Sequence, residues 1–520
     1  MSHHKTRYLK HWLATLSVCL LAGCAVGPDY KRPDAPMAAE FKPAPGWKIA
    51  APEDDLAKGE WWKIYKDPQL DALLAEVTPN NQNIAIYVAR VRQVQALASG
   101  ANAARYPSLG VNADGGRIAS GTGNKNDLVN SDGSINNGAI FNNVNVYGGL
   151  SWDSDLWGKL RRNVESKEAN LVASIADLEN AKLSMQTQLA QAYFLVRSLD
   201  SQKQLLTDTT ASNLEAVRLT KNQYDVGVKA RQDLINAGSQ YRSVQAQLID
   251  VGVNRAAQEN LIAVLIGKPP SNFSLPFNPL PARSNLVVPV VPPGLPSDLL
   301  ERRPDVAAAE RRMAAANAQI GFQKAAYFPS LTLNANQNNI GFLGPSFSQL
   351  FTTPFLYWGI GPSMALTLLD FGARAAKVEE ARGVYDESVA TYRQAVLTAM
   401  QEVETQLAAL RIYEEEAGIQ NEAADLAERG VVIALNRYQA GIDNYTNVVV
   451  AKNNALSNQQ KAIIIAQQRL NASVLLVKAL GGSWTPQNQT PVVDPSATTN
   501  SQNQQNTQGQ KAEQGPGGQG

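Results

Sequence analysis

The chain has 520 residues, and its 47 basic and 46 acidic residues leave it close to electrically neutral. A nucleic-acid-binding protein carries a basic face, so this balance argues against a nucleic-acid partner. All three histidines and Cys19 precede Cys24, which leaves no imidazole and no further thiol after that position. Ser-His-Asp sites, Cys-His sites and thiolate or imidazole zinc sites are thereby excluded. We expect no enzyme, no cofactor and no metal site.

The first predicted element is an export signal. Three basic residues precede an apolar run, residues 12–22, which has the length of a signal-peptide core and is too short to span a bilayer. Small residues then lead to Cys24, an arrangement that resembles a bacterial lipoprotein signal, where the cysteine is lipidated and becomes residue one. Ala25, rather than an aspartate, follows and favours transport to the outer membrane in such lipoproteins. An ordinary signal peptide with a chance cysteine is the alternative.

The rest of the chain contains an internal duplication. The matched landmarks are Tyr106-Pro107-Ser108-Leu109 with Phe328-Pro329-Ser330-Leu331 at an offset of 222, and Trp157 with Phe371, Gly227 with Gly441 and Gly267 with Gly481 at 214. The single change of offset places an eight-residue length difference between Pro107 and Trp157. A repeat of about 200 residues is far longer than a solenoid unit. Each copy is predicted to contain a helix, a strand, a loop, a strand, a long helix, a turn and a helix.

Each copy is predicted to contain two strands of about ten residues, the length of a tilted membrane-crossing strand. The first pair, 108–117 and 144–153, flanks a polar loop, 118–143; the second pair, 330–338 and 357–369, flanks a loop at 339–354. Apolar residues alternate with polar or small ones, which fits a wall between lipid and water. A half-buried soluble hairpin fits the same alternation, and the strands alone leave both open.

Four strands cannot close a barrel, and lipid does not tolerate an open strand edge. If the strands cross a membrane, closure must therefore come from several copies of the chain. Two copies give a barrel of eight strands, and side chains nearly fill the interior of a barrel of that size. Three copies give twelve strands, so a trimer is the smallest assembly expected to enclose a channel.

Long helices follow the strands. Residues 159–226 contain no proline and are rich in good helix formers, and 68 helical residues would reach about 100 Å. The second copy repeats this at 374–439, and returning helices are predicted at 231–266 and 445–480. A soluble coiled coil would explain the helices alone. It would not explain why they adjoin strands of membrane length.

Five motifs between Cys24 and Trp484 are similar to those of one family, and in the same order. They are Cys24-Ala25-Val26-Gly27-Pro28, Trp61-Trp62, Gly294-Leu295-Pro296 with Arg302-Arg303-Pro304-Asp305, Arg437-Tyr438-Gln439-Ala440-Gly441, and Ala479-Leu480-Gly481-Gly482. The chain thus resembles the outer-membrane efflux proteins of the TolC and OprM type. The resemblance implies an α+β membrane protein: a trimeric twelve-stranded outer-membrane β-barrel with four strands per chain. A long periplasmic α-helical barrel continues it, with a mixed α/β equatorial belt.

The resemblance also implies a function, that of a NodT/OprM-like lipoprotein in RND-type tripartite efflux. The expected homotrimer would be a passive exit duct for drugs or other small toxic compounds, lipid-anchored in the outer membrane with most of the chain in the periplasm. A periplasmic adaptor would link it to an inner-membrane RND or ABC transporter, which supplies the energy because this chain has no nucleotide-binding loop. The alternatives are a duct for type I protein secretion and a lipid-anchored coiled-coil scaffold without a pore.

A gate is predicted at the two turns between the long helices. Gly227 and Gly441 suit the left-handed residue that ends a helix before a reversal, and simple helix capping is the alternative role. In the resembled family this turn is the periplasmic tip. Asp233 matches the family's aspartate at the constriction, where three copies would form an acidic ring, and Tyr438 matches a tyrosine that hydrogen-bonds across the closed tip. Without the resemblance, Asp233 is a solvated carboxylate favoured by the helix dipole.

The second turn departs from the family pattern. Asn447 occupies the position equivalent to Asp233. Where OprM-like tips carry an Asp-Ala-Gln-Arg run, this chain has Val450-Ala451-Lys452-Asn453, which lacks both the carboxylate and the arginine. An ionic latch at these two positions is therefore in doubt.

Six segments are predicted in order. They are a cleaved lipoprotein signal peptide (1–23), an N-terminal anchor and equatorial segment (24–80), a first repeat (81–267), an inter-repeat equatorial linker (268–303), a second repeat (304–484) and a polar tail (485–520). The tail has almost no large apolar residues, so we expect it to be disordered. The exported substrate cannot be read from the sequence.

Overall fold

The computed structural model describes residues 25–35, 60–119, 140–281, 288–289, 302–335, 340–344, 356–359 and 361–482. The predicted signal peptide, Cys24 and the polar tail lie outside these described residues, as does the centre of the loop at 118–143. Within the described part, no helix combines the length and the apolar character needed to span a membrane.

The described residues of the first half form four α-helices and two strands, with short 3-10 helices before and after them. A short 3-10 helix, Trp61–Tyr65, precedes α1 (Pro68–Asn80), α2 (Gln82–Ala103), β1 (Ser108–Ala119), β2 (Ile140–Asp153), α3 (Lys159–Asp225) and α4 (Arg231–Leu265). Local capping explains where the first helices begin. The Asp67 carboxylate accepts a hydrogen bond from the backbone N–H of Gln69 at 3.1 Å, and the Asn81 side chain accepts one from Ile84 at 3.1 Å.

The second half repeats this order. It contains α5 (Pro304–Ala325), β3 (Ser330–Ala335), β4 (Ile340–Gly344), β5 (Leu356–Trp358), β6 (Gly361–Ala365), α6 (Ala373–Gln439) and α7 (Tyr445–Ala479). Corresponding helices have equal lengths: 22 residues in α2 and α5, 67 in α3 and α6, and 35 in α4 and α7. The long helices agree with the predicted bounds to within one residue. Gly383, Gly418 and Gly430 do not interrupt α6.

The strands form one antiparallel sheet with four rows. β1 pairs with one side of β2 over its whole length. On the other side, β3 pairs with Leu150–Asp153 of β2, and β4 pairs with Val144–Tyr147. β6 and β5 then pair with β3 and β4, respectively, as the outermost row. In the single chain, the described sheet therefore ends at β1 on one side and at β5 and β6 on the other.

Of the predicted strands of the second half, 330–338 is a strand over its described part, whereas 357–369 is wrong in its bounds. The expected loop at 339–354 contains β4, because this segment pairs with the free side of β2. The expected strand at 357–369 is divided into β5 and β6, and residues 366–369 are not strand. The described sheet therefore has four rows, as predicted. In two of these rows the strand is divided into two short strands, β3 with β4 and β5 with β6.

The main hydrophobic core lies where both halves meet. Leu70 and Leu74 of α1 pack against Leu189 of α3, Ile262 of α4 and Val474 of α7, and all five are buried. Burying such a side chain fully contributes about 1.5–3 kcal/mol. A second cluster joins α5, α6 and α7. The core thus joins the middle of α3 and α6 to the C-terminal parts of α4 and α7, away from the turns between the helices.

Candidate functional site

The two helical turns have the same backbone geometry. We call residues 226–230 the first tip and residues 440–444 the second tip. Gly227 has φ 77° and Gly441 has φ 73°, so both are in the left-handed region that favours glycine. At the first tip, Val228 donates its N–H to the Gln223 carbonyl at 2.8 Å, and Ile442 makes the equivalent bond at 3.0 Å. These bonds form the Schellman motif that ends a helix. The capping role is therefore observed, and the gate remains a prediction.

An aromatic cluster joins the two tips. Tyr438 and Tyr445 are 5 % and 2 % exposed, and their rings meet edge to face with centroids 5.1 Å apart. Ala237 of α4 packs into the same cluster. The Lys229 ammonium of the first tip lies 4.1 Å from the centroid of the Tyr438 ring. This cation–π contact connects the first hairpin with the second.

The hydroxyl of Tyr438 has an unusual environment. It is buried and forms no hydrogen bond of regular geometry within the described residues. Burial raises the pKa of Tyr438, the Asp233 carboxylate adds to this, and the nearby Thr220 hydroxyl offsets part of the increase. Burial, followed by the neighbouring Tyr438 and Asp233, raises the pKa of Tyr445 to about 12. The tyrosine expected to bond across the tip is therefore held within one chain by its ring.

Asp233 lies in the first turn of α4, where a carboxylate interacts favourably with the helix dipole. The side chain is half-buried, and it lies close enough to affect both aromatic hydroxyls. The fold thus brings Asp233 together with Tyr438, whereas Asn447 is exposed and contacts residues of the second tip. A carboxylate ring around a constriction remains a prediction.

The second tip has an ion pair of its own. The Arg437 Nε donates to the Asp443 carboxylate at 2.8 Å, and the Asn447 amide donates to the other carboxylate oxygen at 2.9 Å. The hydrogen bond from Arg437 is the main cause that lowers the pKa of Asp443. Asn447 is therefore part of a local charged network. The second tip is held by ionic contacts, although not at positions 450 and 453.

The segment after the second tip forms hydrogen bonds, but no ion pair among the described residues, with the first hairpin. Asn453 accepts a hydrogen bond from Gln240 of α4 at 2.6 Å, and Val450 is exposed. The Lys452 ammonium donates to Asn213 of α3 at 3.0 Å, and burial lowers the pKa of Lys452. Hydrogen bonds between helices thus connect positions 452 and 453 to the first hairpin.

Sequence reasoning missed Lys229 and Asp443. Both stand two residues after the glycine of their tip, at positions equivalent in the duplication. One is a cation and the other an anion, and this opposite charge at matched positions was the available signal. The fold gives them different partners, an aromatic ring for Lys229 and Arg437 for Asp443.

At the opposite end of α3, an N-terminal strap (residues 25–35) is bound to the junction of sheet and helices. Val26 donates its N–H to the Trp157 carbonyl at 3.0 Å. The Asp29 carboxylate accepts a hydrogen bond from the buried Arg162 of α3 at 2.8 Å. The strap therefore holds the residue after Cys24 beside the turn between β2 and α3.

The sequence matches the outer membrane efflux protein family over residues 73–268 and 295–482, one match in each half of the duplication. The chain belongs to this family. It is a family of outer-membrane channels, not of enzymes, and the resemblance drawn from the motifs is confirmed.

Curated relatives match over nearly their whole length. The solvent efflux pump outer membrane protein SrpC of Pseudomonas putida is 29 % identical over 477 residues, which cover 91 % of this chain and 98 % of SrpC. The pyoverdine export outer membrane protein OpmQ of Pseudomonas aeruginosa is 30 % identical over 477 residues, covering 91 % of this chain and 97 % of OpmQ. The solved outer-membrane channel OprN has a TM-score of 0.79 at 26 % identity, covering 89 % of this chain and 100 % of OprN.

Proposed function

We propose that the protein is the passive exit duct of a tripartite efflux pump. Three chains would form a twelve-stranded barrel in the outer membrane, and their long helices a tube through the periplasm. A periplasmic adaptor would dock an inner-membrane RND or ABC transporter at the tips. The substrates would be drugs or other small toxic compounds, a class supported by the solvent pump in which SrpC is named.

The unpaired edges of the sheet are the observation that carries this proposal. Its outer rows, β1 and β5 with β6, have no further strand beside them in the described chain. Large side chains on these rows lie uncovered: Leu109, Val111 and Met364 are 78 %, 75 % and 72 % exposed. Lipid would cover the apolar side chains, but it offers no hydrogen-bond partner for a free strand edge. Pairing with the strands of other copies would satisfy those edges.

The N-terminal strap supports lipid anchoring close to the sheet. A methyl group added at Gly158 would lie 2.8 Å from the Cβ of Ala25, so the chain just after Cys24 packs against the start of α3. A lipid on Cys24 would then enter the membrane beside the sheet. One acyl chain alone binds a membrane only marginally, which is why a lipoprotein carries several.

Conductance and labelling together test the function. Purified protein reconstituted in a planar bilayer is expected to form channels and to run as a trimer on gels before heating. A tag inserted near Asn130 is expected to be accessible on intact cells, and one beside Gly227 only after the outer membrane is opened. The opposite labelling pattern, or a monomer without conductance, would contradict the proposal.

A deletion strain separates the candidate cargoes. Drug or solvent hypersensitivity is expected. Loss of one secreted protein with unchanged drug sensitivity would instead indicate type I secretion.

A further inference from the structure

A polar layer interrupts the apolar packing between the first hairpin (α3 and α4) and the second (α6 and α7). On the side of the tips, the aromatic cluster includes the buried Val448 of α7. On the other side, Leu206 of α3 and Leu456 of α7 belong to one buried cluster. Lys452 stands four residues from both Val448 and Leu456, on the same face of α7, and contacts Asn213 of α3. Both polar residues therefore lie between two apolar clusters.

Asn213 occupies a core position of α3. Four buried residues of this helix follow one another at intervals of seven: Leu199, Leu206, Asn213 and Thr220. This spacing is typical of a seam that faces other helices. Asn213 is only 1 % exposed, so water does not cover its amide group from outside. Burial of such a group is costly unless its donors and acceptors are paired.

The amide of Asn213 is only half satisfied. Its Oδ1 accepts a hydrogen bond from the Lys452 ammonium at 3.0 Å. Its Nδ2 is buried and has no hydrogen-bond partner among the described residues. A buried N–H group without an acceptor is destabilising and is rare in folded proteins. The site therefore lacks one acceptor.

The ammonium of Lys452 lacks an opposite charge. It donates to Asn213 and, at 3.2 Å, to the Ser212 hydroxyl, and both acceptors are neutral. The rest of the layer is neutral as well, since Gln240 of α4 donates to Asn453 at 2.6 Å. Burial lowers the pKa of Lys452, and no carboxylate of the described residues offsets this. A desolvated cation is stabilised when an anion pairs with it.

The missing acceptor and the missing charge belong at the same place. Lys452 Nζ is joined to Asn213 Oδ1 by the 3.0 Å hydrogen bond, and Asn213 Nδ2 belongs to the same amide group. The two nitrogens are therefore at most about 5.6 Å apart. One atom between them can accept from both, because hydrogen bonds from nitrogen are about 3 Å long. A water molecule would satisfy the amide but not the charge, whereas an anion would satisfy both.

We infer that the polar layer binds a small monovalent anion, such as chloride, between Lys452 and Asn213. Apolar side chains one turn away on both sides, Val448 and Leu456, favour a monatomic anion over a larger one. The site lies about 10 Å along α7 from its start at Tyr445. The anion would connect α3 to α7, and thereby the first hairpin to the second. All of its ligands come from one chain, so the site does not depend on the proposed trimer or duct.

Thermal unfolding of the purified full-length protein tests the site in solution. At neutral pH and constant ionic strength, sodium chloride is exchanged for sodium gluconate, whose anion is too large for the layer. The unfolding temperature of the wild type is expected to rise with the chloride concentration, because a ligand of the folded state stabilises that state. Lys452→Met is expected to lose this rise. Asn213→Leu is expected to reduce it, since the cation remains but the amide donor is lost.

The control is a second lysine of the same helix. Lys461 is exposed, so Lys461→Gln is expected to keep the wild-type response. Lys452→Met is expected to fold, because replacing a desolvated charge by an apolar side chain is often neutral or stabilising, and its unfolding transition in gluconate checks this. If it did not fold, Asn213→Leu would provide the comparison. A wild type that does not respond to chloride, or an equal response in the wild type and the folded variants of the layer, would overturn the site.

Bromide reports the position directly. Crystals grown in sodium bromide are expected to show an anomalous peak within hydrogen-bonding reach of Lys452 Nζ and Asn213 Nδ2. One such peak per chain is expected, because the equivalent positions in the duplication, Gly238 and Ala427, have no polar side chain. A water molecule without anomalous signal at this place, or a carboxylate of a neighbouring chain, would overturn the inference. None of these measurements involves conductance, so their failure would leave the proposed duct unaffected.

Discussion

Removing the Lys229 ammonium is expected to loosen the closed state of the tips. The ammonium lies 4.1 Å from the Tyr438 ring centroid, and the lysine is half-buried. Cation–π contacts contribute about 0.5–1 kcal/mol when exposed and about 2 kcal/mol when desolvated, so about 1 kcal/mol applies here. In a trimer that opens as a unit, Lys229→Gln would cost about 3 kcal/mol, which shifts the closed-to-open ratio roughly 150-fold.

Substitution of Tyr438 separates the ring from the hydroxyl. Tyr438→Phe keeps the ring, and the hydroxyl it removes has no regular hydrogen bond among the described residues, so wild-type opening is expected. Tyr438→Ala removes a buried aromatic side chain, a change that costs about 3–5 kcal/mol, and should open the tip more than Lys229→Gln does. The order of the three variants is therefore fixed by the structure.

Single-channel recording in planar bilayers measures the open fraction. Lys229→Arg keeps the cation and is expected to behave as wild type. Lys221→Gln is the matched control, because Lys221 is an exposed lysine near the same tip that pairs with Asp225 at 2.6 Å instead of with an aromatic ring. If Tyr438→Phe opened the channel as Lys229→Gln does, the hydroxyl rather than the ring would hold the tip. If Lys229→Gln matched wild type, the contact would not contribute to closure.

Three further predictions use other residues. Cys24→Ser should leave an unacylated, uncleaved precursor, detected by mass; a mature-sized protein that sorts normally without lipid would contradict lipidation. Asp233→Asn should reduce cation preference in bilayer recordings, and Asn447→Asp should increase it; unchanged selectivity in both would exclude an acidic ring. The neutral form of Tyr445, with its pKa raised to about 12, should stabilise the tip below about pH 10 and lose this effect as the pH rises towards 12. An open fraction constant from pH 8 to 12 would contradict the last prediction.

The long helices could be predicted to within a residue because every local signal agrees. Residues 159–226 contain no proline, apolar residues recur at helical spacing, and a glycine stands where the helix must end. At Gly227 only the left-handed conformation satisfies the reversal, so the sequence alone located the first tip. The long helices and the first tip are thus determined by residues close to one another in the sequence.

The strands of the second half, in contrast, are determined by pairing with residues that are distant in the sequence. β4 lies in the segment predicted as a loop, 339–354, and it is a strand because Gly341–Gly344 pairs with Val144–Tyr147 in the other half of the chain. No local pattern specifies this pairing. The same holds for Lys229, whose aromatic partner lies in the opposite repeat. Contacts between the two copies are properties of the fold and not of either sequence segment.

The two tips have the same backbone geometry because of the duplication, but their side chains make different contacts. Tyr224 and Tyr438 are equivalent residues, yet Tyr224 is 39 % exposed and Tyr438 is 5 % exposed. Lys229 at the first tip reaches across to the second, whereas the equivalent Asp443 pairs within its own tip. The second tip is thus internally braced and receives the first tip's cation. A change at Lys229 should therefore separate the hairpins, while a change at Asp443 should loosen only the second. This difference follows from side chains at matched positions, because helix lengths and glycine caps are the same in both halves.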